Sequence, residues 1–408
     1  MRILFVTPYV PSRIRVRPFQ FIKALSVLHE VSLVALVCSE YERELAQDME
    51  NYCVSVDLVT LPEKQAYINC LRAIPTLTPL RVAYYQSSAF SKRILEIIRE
   101  RSIDVVHGEL IKTTPILRAV LAQERIPIVY DSVDCISSYL SQQWQSARHP
   151  LKKAFIYSEF KKMQRYEPRT IAQFAATVIT SPYDRDYLTR LGTQAEHISV
   201  VPNGVDTEYF TPPKSLREQD SLVFCAKMDY YPNAQAMLSF CQEVLPRIWE
   251  VRPQTRLTIV CNKPPQEVMN LATDSRITVT GYVPDIRPYL GKASVALAPL
   301  LVAAGMQNKV LEALAMGTPM VATPGSCRAL HVQHGTHLLI AEGATNVAHA
   351  VLQLLDNAEL ATALSQAGRE YVEQHHSWDA SATILNNVYQ QAIAAMQPET
   401  VLNAAFAL

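Results

Sequence analysis

The chain has 408 residues, of which 49% are hydrophobic and 19% are charged. This length exceeds a single compact core and suits two or three domains, while the apolar fraction excludes an intrinsically disordered chain. Residues 1–200 carry 25 basic and 20 acidic side chains, residues 201–408 carry 13 and 18, and the formal net charge is zero. So small a basic excess in the first half argues against a nucleic-acid binder and favours an acidic or membrane-associated partner.

Short apolar runs alternate with helical patterns along the chain. In the first half, strands are predicted over residues 3–7, 31–37, 105–107, 126–130 and 177–180, and helices over 19–28, 90–101 and 114–123. In the second half, strands are predicted over 222–226, 256–260, 277–280, 295–298 and 319–322, and helices over 234–250, 308–315 and 346–355. This β-α-β order predicts parallel sheets with helices on both faces.

Proline and glycine interrupt the pattern at residues 201–206 and 210–213. They predict a hinge between two domains of about 200 residues each. The predicted fold class is therefore α/β, with two doubly wound, Rossmann-like domains. Ligands of such sheets bind beyond the carboxyl ends of the strands, so the expected site is the cleft between the domains.

Glycine and cysteine exclude several classes of protein. There are 11 glycines, and neither the glycine-rich dinucleotide fingerprint nor the P-loop signature occurs. The chain is therefore not expected to be a dinucleotide-binding oxidoreductase or a P-loop NTPase. The eight scattered cysteines form no C-x-x-C pair, so we expect reduced thiols in a cytoplasmic protein. Since no apolar run reaches transmembrane length and the first residues lack a cleavage pattern, we expect neither a membrane span nor a signal peptide. His331, His334 and His337 lie in a predicted loop without further ligands, so no metal is expected.

The most informative segment is residues 303–319, which follows a predicted strand and opens the predicted helix at 308–315. Gly305 allows a ligand to approach the backbone, and the free N–H groups and dipole of the helix start favour an anion. Lys309 can neutralise a phosphate, and Glu312 on the same face can accept hydrogen bonds from ribose hydroxyls. The segment predicts a nucleotide site, with a plain buried helix after a loop as the alternative.

Polar residues also follow two predicted strands of the first half. His107 and Glu109 end the strand that begins at residue 105, and Asp131 and Asp134 follow the strand at 126–130. A neutral histidine can position a sugar hydroxyl or relay a proton, and a glutamate can accept from hydroxyls or take the acceptor proton. The alternatives are a histidine satisfied within the fold and loop carboxylates that are solvated or cap helices.

Three arginines alternate along the predicted first loop, at Arg13, Arg15 and Arg17. Alternate residues of an extended segment project to one side, and guanidinium groups there suit an acidic acceptor or a phosphate. The alternative is that these arginines are solvated or pair with nearby glutamates.

Residues 148–165 combine cations with apolar residues at helical spacing. The cations are Arg148, Lys152, Lys153, Lys161, Lys162 and Arg165. Leu151, Phe155, Phe160 and Met163 supply the apolar spacing. The segment predicts a basic amphipathic helix that can rest on anionic lipid. The alternative is a helix packed on its own domain with a solvated basic face.

The segment at 303–319 resembles the donor-site motif of retaining GT-B glycosyltransferases, especially glycosyltransferase family 4 and a branch of it found in exopolysaccharide gene clusters. Glu312 matches the second glutamate of that motif, which binds the nucleotide ribose in the family. The first glutamate falls at Ala304. The resemblance therefore implies that backbone N–H groups near Gly305 and Met306, together with Asn308, hold the donor.

Further motifs of the family follow in the same order. Residues 200–206, which include Asn203, resemble its domain junction. Lys227 matches the first of two cations that contact the donor diphosphate, and we expect Lys309 to replace the missing second one. Tyr282 lies in a segment that matches the loop near the nucleotide base.

In the first half, His107 matches the first histidine of the family's His-x-His pattern, and Glu109 replaces the second, which faces the donor sugar. The resemblance spans nearly the whole chain and implies a GT-B fold. Its acceptor-binding domain would be 1–203, joined by a crossover helix at 377–396, and its nucleotide-sugar-binding domain would be 204–376. The two would face each other across the cleft.

The implied activity is that of a metal-independent, retaining glycosyltransferase without a cofactor. It would move a sugar from a nucleotide-diphospho-sugar to a glycan, lipid-linked or small-molecule acceptor, in surface polysaccharide or glycoconjugate biosynthesis. The expected location is the cytoplasm, with peripheral contact to the inner membrane face through residues 148–165 as an option. A GT-B nucleotide-sugar epimerase and a non-catalytic sugar-nucleotide-binding protein are the rival interpretations.

Overall fold

The computed structural model describes residues 1–37, 40–147, 149–213, 216–228, 230–303 and 305–396. Arg148 and Ala304 of the sequence predictions lie outside these ranges, as does Cys38, one of the eight cysteines. The chain divides into two compact units. The first is Met1–Val201 with the chain from Asp379 onward, and the second is Pro202–Trp378.

The first unit is built on a seven-stranded parallel sheet. Its strands are β1 Arg2–Thr7, β2 Glu30–Val37, β3 Ser55–Thr60, β4 Val105–Glu109, β5 Ile128–Val133, β6 Ala176–Ile179 and β7 Ile198–Val200. The order is β3-β2-β1-β4-β5-β6-β7, and every neighbouring pair is parallel. Ile3, Leu4, Phe5 and Val6 are all buried, as expected for a central parallel strand covered on both faces.

Helices connect these strands. They are α1 Val16–Leu25, α2 Glu40–Glu50, α3 Glu63–Ala73, α4 Leu80–Ala83, α5 Ser88–Arg101, α6 Leu110–Leu121, α7 Ile136–Ser146, α8 Pro150–Ile171 and α9 Pro182–Arg190. Local signals explain the limits of α5. The Ser87 side chain accepts the Phe90 N–H at its start, and Ser102 in the left-handed conformation ends it.

The second unit contains a six-stranded parallel sheet. Its strands are β8 Glu218–Lys227, β9 Arg256–Asn262, β10 Ile277–Val279, β11 Ala293–Ala298, β12 Met320–Ala322 and β13 Leu339–Ile340, in the order β10-β9-β8-β11-β12-β13. Leu222 and Phe224 face one hydrophobic cluster, and Val223 and Cys225 face another. Alternate residues of β8 thus fill a core on each side of the sheet.

The helices of this unit lie between its strands and after them. They are α10 Tyr231–Ser239, which a π-helical turn at Phe240–Val244 joins to α11 Leu245–Val251, then α12 Gln266–Met269, α13 Arg287–Lys292, α14 Asn308–Ala315, α15 Pro324–Cys327, α16 Ala344–Asp356 and α17 Ala358–His375. A last helix, α18 Trp378–Met396, begins at the end of the second unit and continues into the first.

One arginine ties two turns of the second unit together. Arg217 donates hydrogen bonds to the carbonyl groups of Gly291 and Ala293, both at 3.0 Å, and of Gly317 at 2.7 Å. The turn before β11 and the turn after α14 therefore share one guanidinium.

The predicted α/β fold with two doubly wound parallel sheets is confirmed. The predicted strands correspond to β1, β2, β4, β5 and β6 and to β8–β12. The short strands β3, β7 and β13 were not predicted, because two to six residues at a sheet edge leave little hydrophobic pattern. Of the predicted basic helix, residues 150–165 form most of α8.

Candidate functional site

A buried ion pair lies at the carboxyl end of the first sheet. Arg17 of α1 donates to both oxygens of Asp131 on β5, with Nε–Oδ2 at 2.7 Å and Nη2–Oδ1 at 3.2 Å, and to the Val201 carbonyl at 3.0 Å. The side chains of Arg17 and Asp131 are 5% and 0% exposed. The geometry is the bidentate one that guanidinium and carboxylate favour. This pair holds the first turn of α1 against the sheet.

The prediction that three arginines project together from an extended loop is wrong. Because α1 begins at Val16, Arg17 points into the interior. Arg15 pairs with Glu42 at 2.6 Å and lies over the Tyr9 ring, so the alternative of local pairing holds for it. Arg13 is exposed.

The two predicted aspartates lie in different surroundings. Asp131 is inside β5 and fully buried, so the alternative of a solvated loop carboxylate is wrong for it. Asp134 follows the strand, after Val133 in the left-handed conformation. Burial, and then the charge of Asp184, raise the pKa of Asp134 to about 7.

His107 lies next to this ion pair on β4. Its Nδ1 atom is 2.9 Å from the hydroxyl of Tyr389 on α18, and its ring packs on Phe5. Its Nε2 atom is 3.6 Å from Asp131 Oδ2 and has no hydrogen-bond partner within the described structure. Burial, reinforced by the charge of Arg17, lowers the pKa of His107 to about 4. The imidazole is therefore neutral at pH 7, and it can exchange hydrogen bonds but carries no charge.

Glu109 ends β4 and is also buried. The Tyr9 hydroxyl donates to its Oε1 atom at 2.9 Å, whereas Oε2 has no partner among the described residues. Burial, and then the charge of Asp131, raise the pKa of Glu109 to about 8. At neutral pH the carboxyl group is largely protonated, so it can donate a hydrogen bond, and it acts as a base only after losing that proton.

The raised pKa of Glu109 predicts a pH-dependent stability. The folded state holds this proton up to about pH 8, and the unfolded chain loses it near its ordinary pKa. The stability contribution is therefore complete below about pH 4 and is lost as the pH rises to about 8, at up to about 1.4 kcal/mol per pH unit. Because glutamine does not titrate, Glu109→Gln should gain stability relative to wild type between pH 5 and pH 8 in urea titrations. Parallel wild-type and Glu109→Gln curves would contradict the assignment.

In the second unit, three predicted donor residues lie within electrostatic reach of one another. Lys227 ends β8, and Lys309 and Glu312 lie on α14. Burial raises the pKa of Glu312 to about 7, and the charges of Lys309 and Lys227 oppose this shift. Burial also lowers the pKa of Lys309 to about 8, against the charge of Glu312. Two cations and one carboxyl group thus share one partly desolvated region beyond the carboxyl ends of β8 and β11.

Neighbouring side chains hold this cluster. Lys309 Nζ donates to Gln307 Oε1 at 2.8 Å, and Asn203 donates to Asn308 Oδ1 at 2.8 Å. Asn233 donates to the Lys227 carbonyl at 2.7 Å, and its buried Oδ1 has no partner in the part of the chain that the structure describes. These contacts fix the entry to α14 and the end of β8.

The remaining predicted donor residues have different roles in the structure. Gly305 adopts a φ of 58°, which side chains disfavour, in the loop before α14. The Met306 side chain is buried in a hydrophobic cluster, so only its backbone could meet a ligand. Tyr282 is exposed after β10 and has no described contact with the lysine–glutamate cluster.

Three contacts of these groups were not predicted. Tyr9 directly follows the first predicted strand, so the rule that sites lie at strand ends could have found it. Asn233 follows the loop after β8 in the same way. Tyr389 has no local signal, because it lies 282 residues from His107 in the sequence.

The structure offers no candidate metal cluster within its described ranges. His334 and His337 accept the backbone N–H groups of Ile340 and Gln333, both at 3.0 Å, and so stabilise their own loop.

None of the helices described combines the length and hydropathy that crossing a bilayer requires.

Both halves of the chain match glycosyltransferase family models. Residues 19–209 match the model described as Glycosyltransferase Family 4, and residues 219–357 match the one described as Glycosyl transferases group 1. Together the two matches include the predicted donor residues and His107, Glu109 and Asp131 of the first unit, whereas Tyr9, Arg17 and Tyr389 lie outside the matched ranges.

Two curated relatives are transferases by name. The D-inositol 3-phosphate glycosyltransferase of Corynebacterium aurimucosum is 26% identical over 54% of this chain and 58% of the relative. The MMP alpha-(1->4)-mannosyltransferase of Mycolicibacterium hassiacum is 25% identical over 78% of each chain. The chain therefore matches less than two thirds of the length of the first of these relatives.

A solved structure has the same fold. HepE of Anabaena, determined in complex with UDP, aligns over 96% of this chain and 100% of its own, with a TM-score of 0.69 and 13% identity. This likeness concerns the fold alone.

Proposed function

We propose that this chain, a family 4-like GT-B glycosyltransferase, transfers a sugar from a nucleotide-diphospho-sugar with retention of configuration. The observation that carries the proposal is the cluster of Lys227, Lys309 and Glu312 at the carboxyl ends of β8 and β11. Its two cations suit a diphosphate, and its carboxyl group suits ribose hydroxyls. HepE, which shares the fold, was solved with UDP.

In the proposed mechanism the two lysines stabilise the departing nucleoside diphosphate. Negative charge grows on the β-phosphate as the bond to the sugar breaks, so cations placed there bind the transition state more tightly than the ground state. The acceptor hydroxyl attacks from the face that the leaving group occupies, and the departing phosphate takes its proton. No protein nucleophile and no metal ion take part in this proposal.

The acceptor is proposed to bind at the first unit. His107 Nε2 and Glu109 Oε2 are buried polar atoms without partners among the described residues, and such atoms favour a ligand that completes their hydrogen bonds. Arg13 is exposed and suits an acidic group of an acceptor. The proposed acceptor is a glycan, a lipid-linked or a small-molecule hydroxyl compound of surface polysaccharide or glycoconjugate biosynthesis.

The proposed location is the cytoplasm, with the basic helix α8 in peripheral contact with the inner membrane face. Lys152 and Lys161 are exposed on this helix, and Lys153 lies over the Trp144 ring. The helix also packs on its own unit through Ile156, Phe160 and Met163.

Thermal unfolding with UDP-, GDP- and ADP-sugars tests the donor proposal. A ligand at a hundredfold excess over its Kd stabilises the folded state by about 2.7 kcal/mol. We expect one nucleotide class to raise the Tm, and an acceptor-dependent release of nucleoside diphosphate to follow with that class. Binding without transfer or donor hydrolysis would favour a non-catalytic binding protein, and conversion of the donor without acceptor would favour an epimerase.

Glu312→Gln should weaken the binding of the free nucleoside diphosphate and leave the fold intact. The lost charged hydrogen bonds to ribose suggest about 1.5–3 kcal/mol, which calorimetric titration would measure. Glu250→Gln, an exposed position on α11 of the same unit, is the matched control. Equal affinities for the two variants would remove Glu312 from the donor site.

A further inference from the structure

The helix α3 of the first unit shows its large apolar side chains to solvent. It buries Ala66 and Ala73, whereas Tyr67, Ile68 and Leu71 are 46–65% exposed. A helix that only covers its own core buries its large apolar residues and exposes its polar ones. The arrangement in α3 is the reverse, although the Tyr67 ring makes an edge contact with the Tyr84 ring.

The exposed apolar surface continues after α3 and reaches α8. Ile74 and Leu77 are 59% and 62% exposed. Lys162 Nζ donates to the Ile74 carbonyl at 3.5 Å, and the Leu80 N–H donates to the Glu159 carboxylate at 2.8 Å. The segment after α3 therefore lies against the middle of α8.

Two apolar residues extend this surface along α8. Leu151 and Phe155 precede Glu159 by two turns and one turn on the same stripe of the helix. They are 77% and 58% exposed. The apolar patch, as we name it, consists of Tyr67, Ile68, Leu71, Ile74, Leu77, Leu151 and Phe155.

Cations border the apolar patch on both helices. The exposed ones are Lys152, Lys161 and Arg165 on α8 and Lys64 and Arg72 on α3, whereas Lys162 is largely buried and Glu63 adds one exposed carboxylate to α3. The acidic Glu159 is already engaged, since it accepts the Leu80 N–H and pairs with Lys162 at 3.5 Å. An apolar surface with aromatic rings is thus combined with a basic rim.

We propose that the apolar patch and its basic rim dock the protein on an anionic lipid bilayer. The side chains of α3 and of the segment after it enter the interface, and the lysines and arginines contact lipid phosphates. A second copy of this chain fits less well, because a twofold contact would bring two basic rims together. The proposal adds the insertion of α3 into the bilayer interface to the peripheral contact through α8. It does not depend on the transfer reaction.

Sedimentation with vesicles tests the apolar part. Wild type should bind vesicles of equal parts phosphatidylglycerol and phosphatidylcholine at low salt, and bind pure phosphatidylcholine at least tenfold less. The triple variant Leu71→Ser, Ile74→Ser, Leu77→Ser should lose about tenfold or more of this binding, because it removes the apolar surface that enters the interface. Val27→Ser, Leu28→Ser is the matched control, since both residues are 78% exposed elsewhere in the same unit.

A second set of variants tests the basic rim. Lys152→Glu, Lys153→Glu, Lys161→Glu should abolish binding to the anionic vesicles, whereas Lys92→Glu on α5 should preserve it. The proposal is overturned if wild type ignores anionic vesicles at low salt, if it binds both vesicle types equally, or if the serine variant binds like wild type. Nucleotide binding measured on the same samples is a separate readout. Its absence beside intact vesicle binding would reject the donor site and leave the docking surface standing.

Discussion

Arg17→Met should lower the free energy of unfolding by about 3–5 kcal/mol, the largest stability change that we expect in the first unit. The substitution keeps the length of the side chain and removes its charge, so Asp131 is left buried without its ion-pair partner. The Val201 carbonyl loses a hydrogen bond at the same time. Urea titration followed by circular dichroism would measure the loss.

Arg2→Met is the matched control for this prediction. Arg2 pairs with Asp104 at 3.3 Å on the surface, where the two side chains are 45% and 35% exposed. Exposed pairs contribute about 0–1 kcal/mol. In Arg17→Met, Asp131→Leu both charges are gone, so stability should partly return. Equal losses for Arg2→Met and Arg17→Met would show that the buried pair does not stabilise the fold.

Lys309→Met should reduce kcat by about a hundredfold or more and change the affinity for the free nucleoside little. The proposed role of Lys309 is to stabilise charge that appears on the leaving phosphate, and removing one such group from a desolvated site costs about 10²–10³ in rate. Lys227→Met should behave in the same way. The exposed Lys292→Met, on α13 of the same unit, should keep wild-type kcat.

The pH profile gives a second readout for Lys309. Because burial lowers its pKa to about 8, the free enzyme loses this cation above that pH, and kcat/KM should fall there. Lys309→Arg, which stays charged, should remove the fall. If Lys309→Met keeps wild-type kcat, another group neutralises the diphosphate. An alkaline fall that persists in Lys309→Arg would belong to another group, and Glu109 is one candidate because its pKa is also about 8.

Much of the fold was predictable because parallel strands are buried on both faces. Ile3–Val6 of β1 and the run 222–226 of β8 are continuous apolar segments, and this pattern requires no knowledge of distant residues. The donor segment was also predictable from local sequence, since the glycine, lysine and glutamate of 303–319 follow one another around a single helix start. Helix α3 was not predicted. The outward orientation of its large apolar residues could not be read from the sequence, because periodicity alone does not say which face of a helix is buried.

The sequence by itself determined the α/β class, the two doubly wound sheets, and the positions of Lys227 at a strand end and of Lys309 and Glu312 on one helix, because local pattern and spacing encode these features. Only the tertiary structure decided which charged groups are interior. Arg17 and Asp131 are 114 residues apart in sequence, and only their meeting shows that one arginine of three is buried. Likewise, the neutral state of His107 results from burial and the charge of Arg17, and the protonated state of Glu109 results from burial and the charge of Asp131. Desolvation depends on what surrounds a group in space, and neighbouring positions in the chain do not specify that.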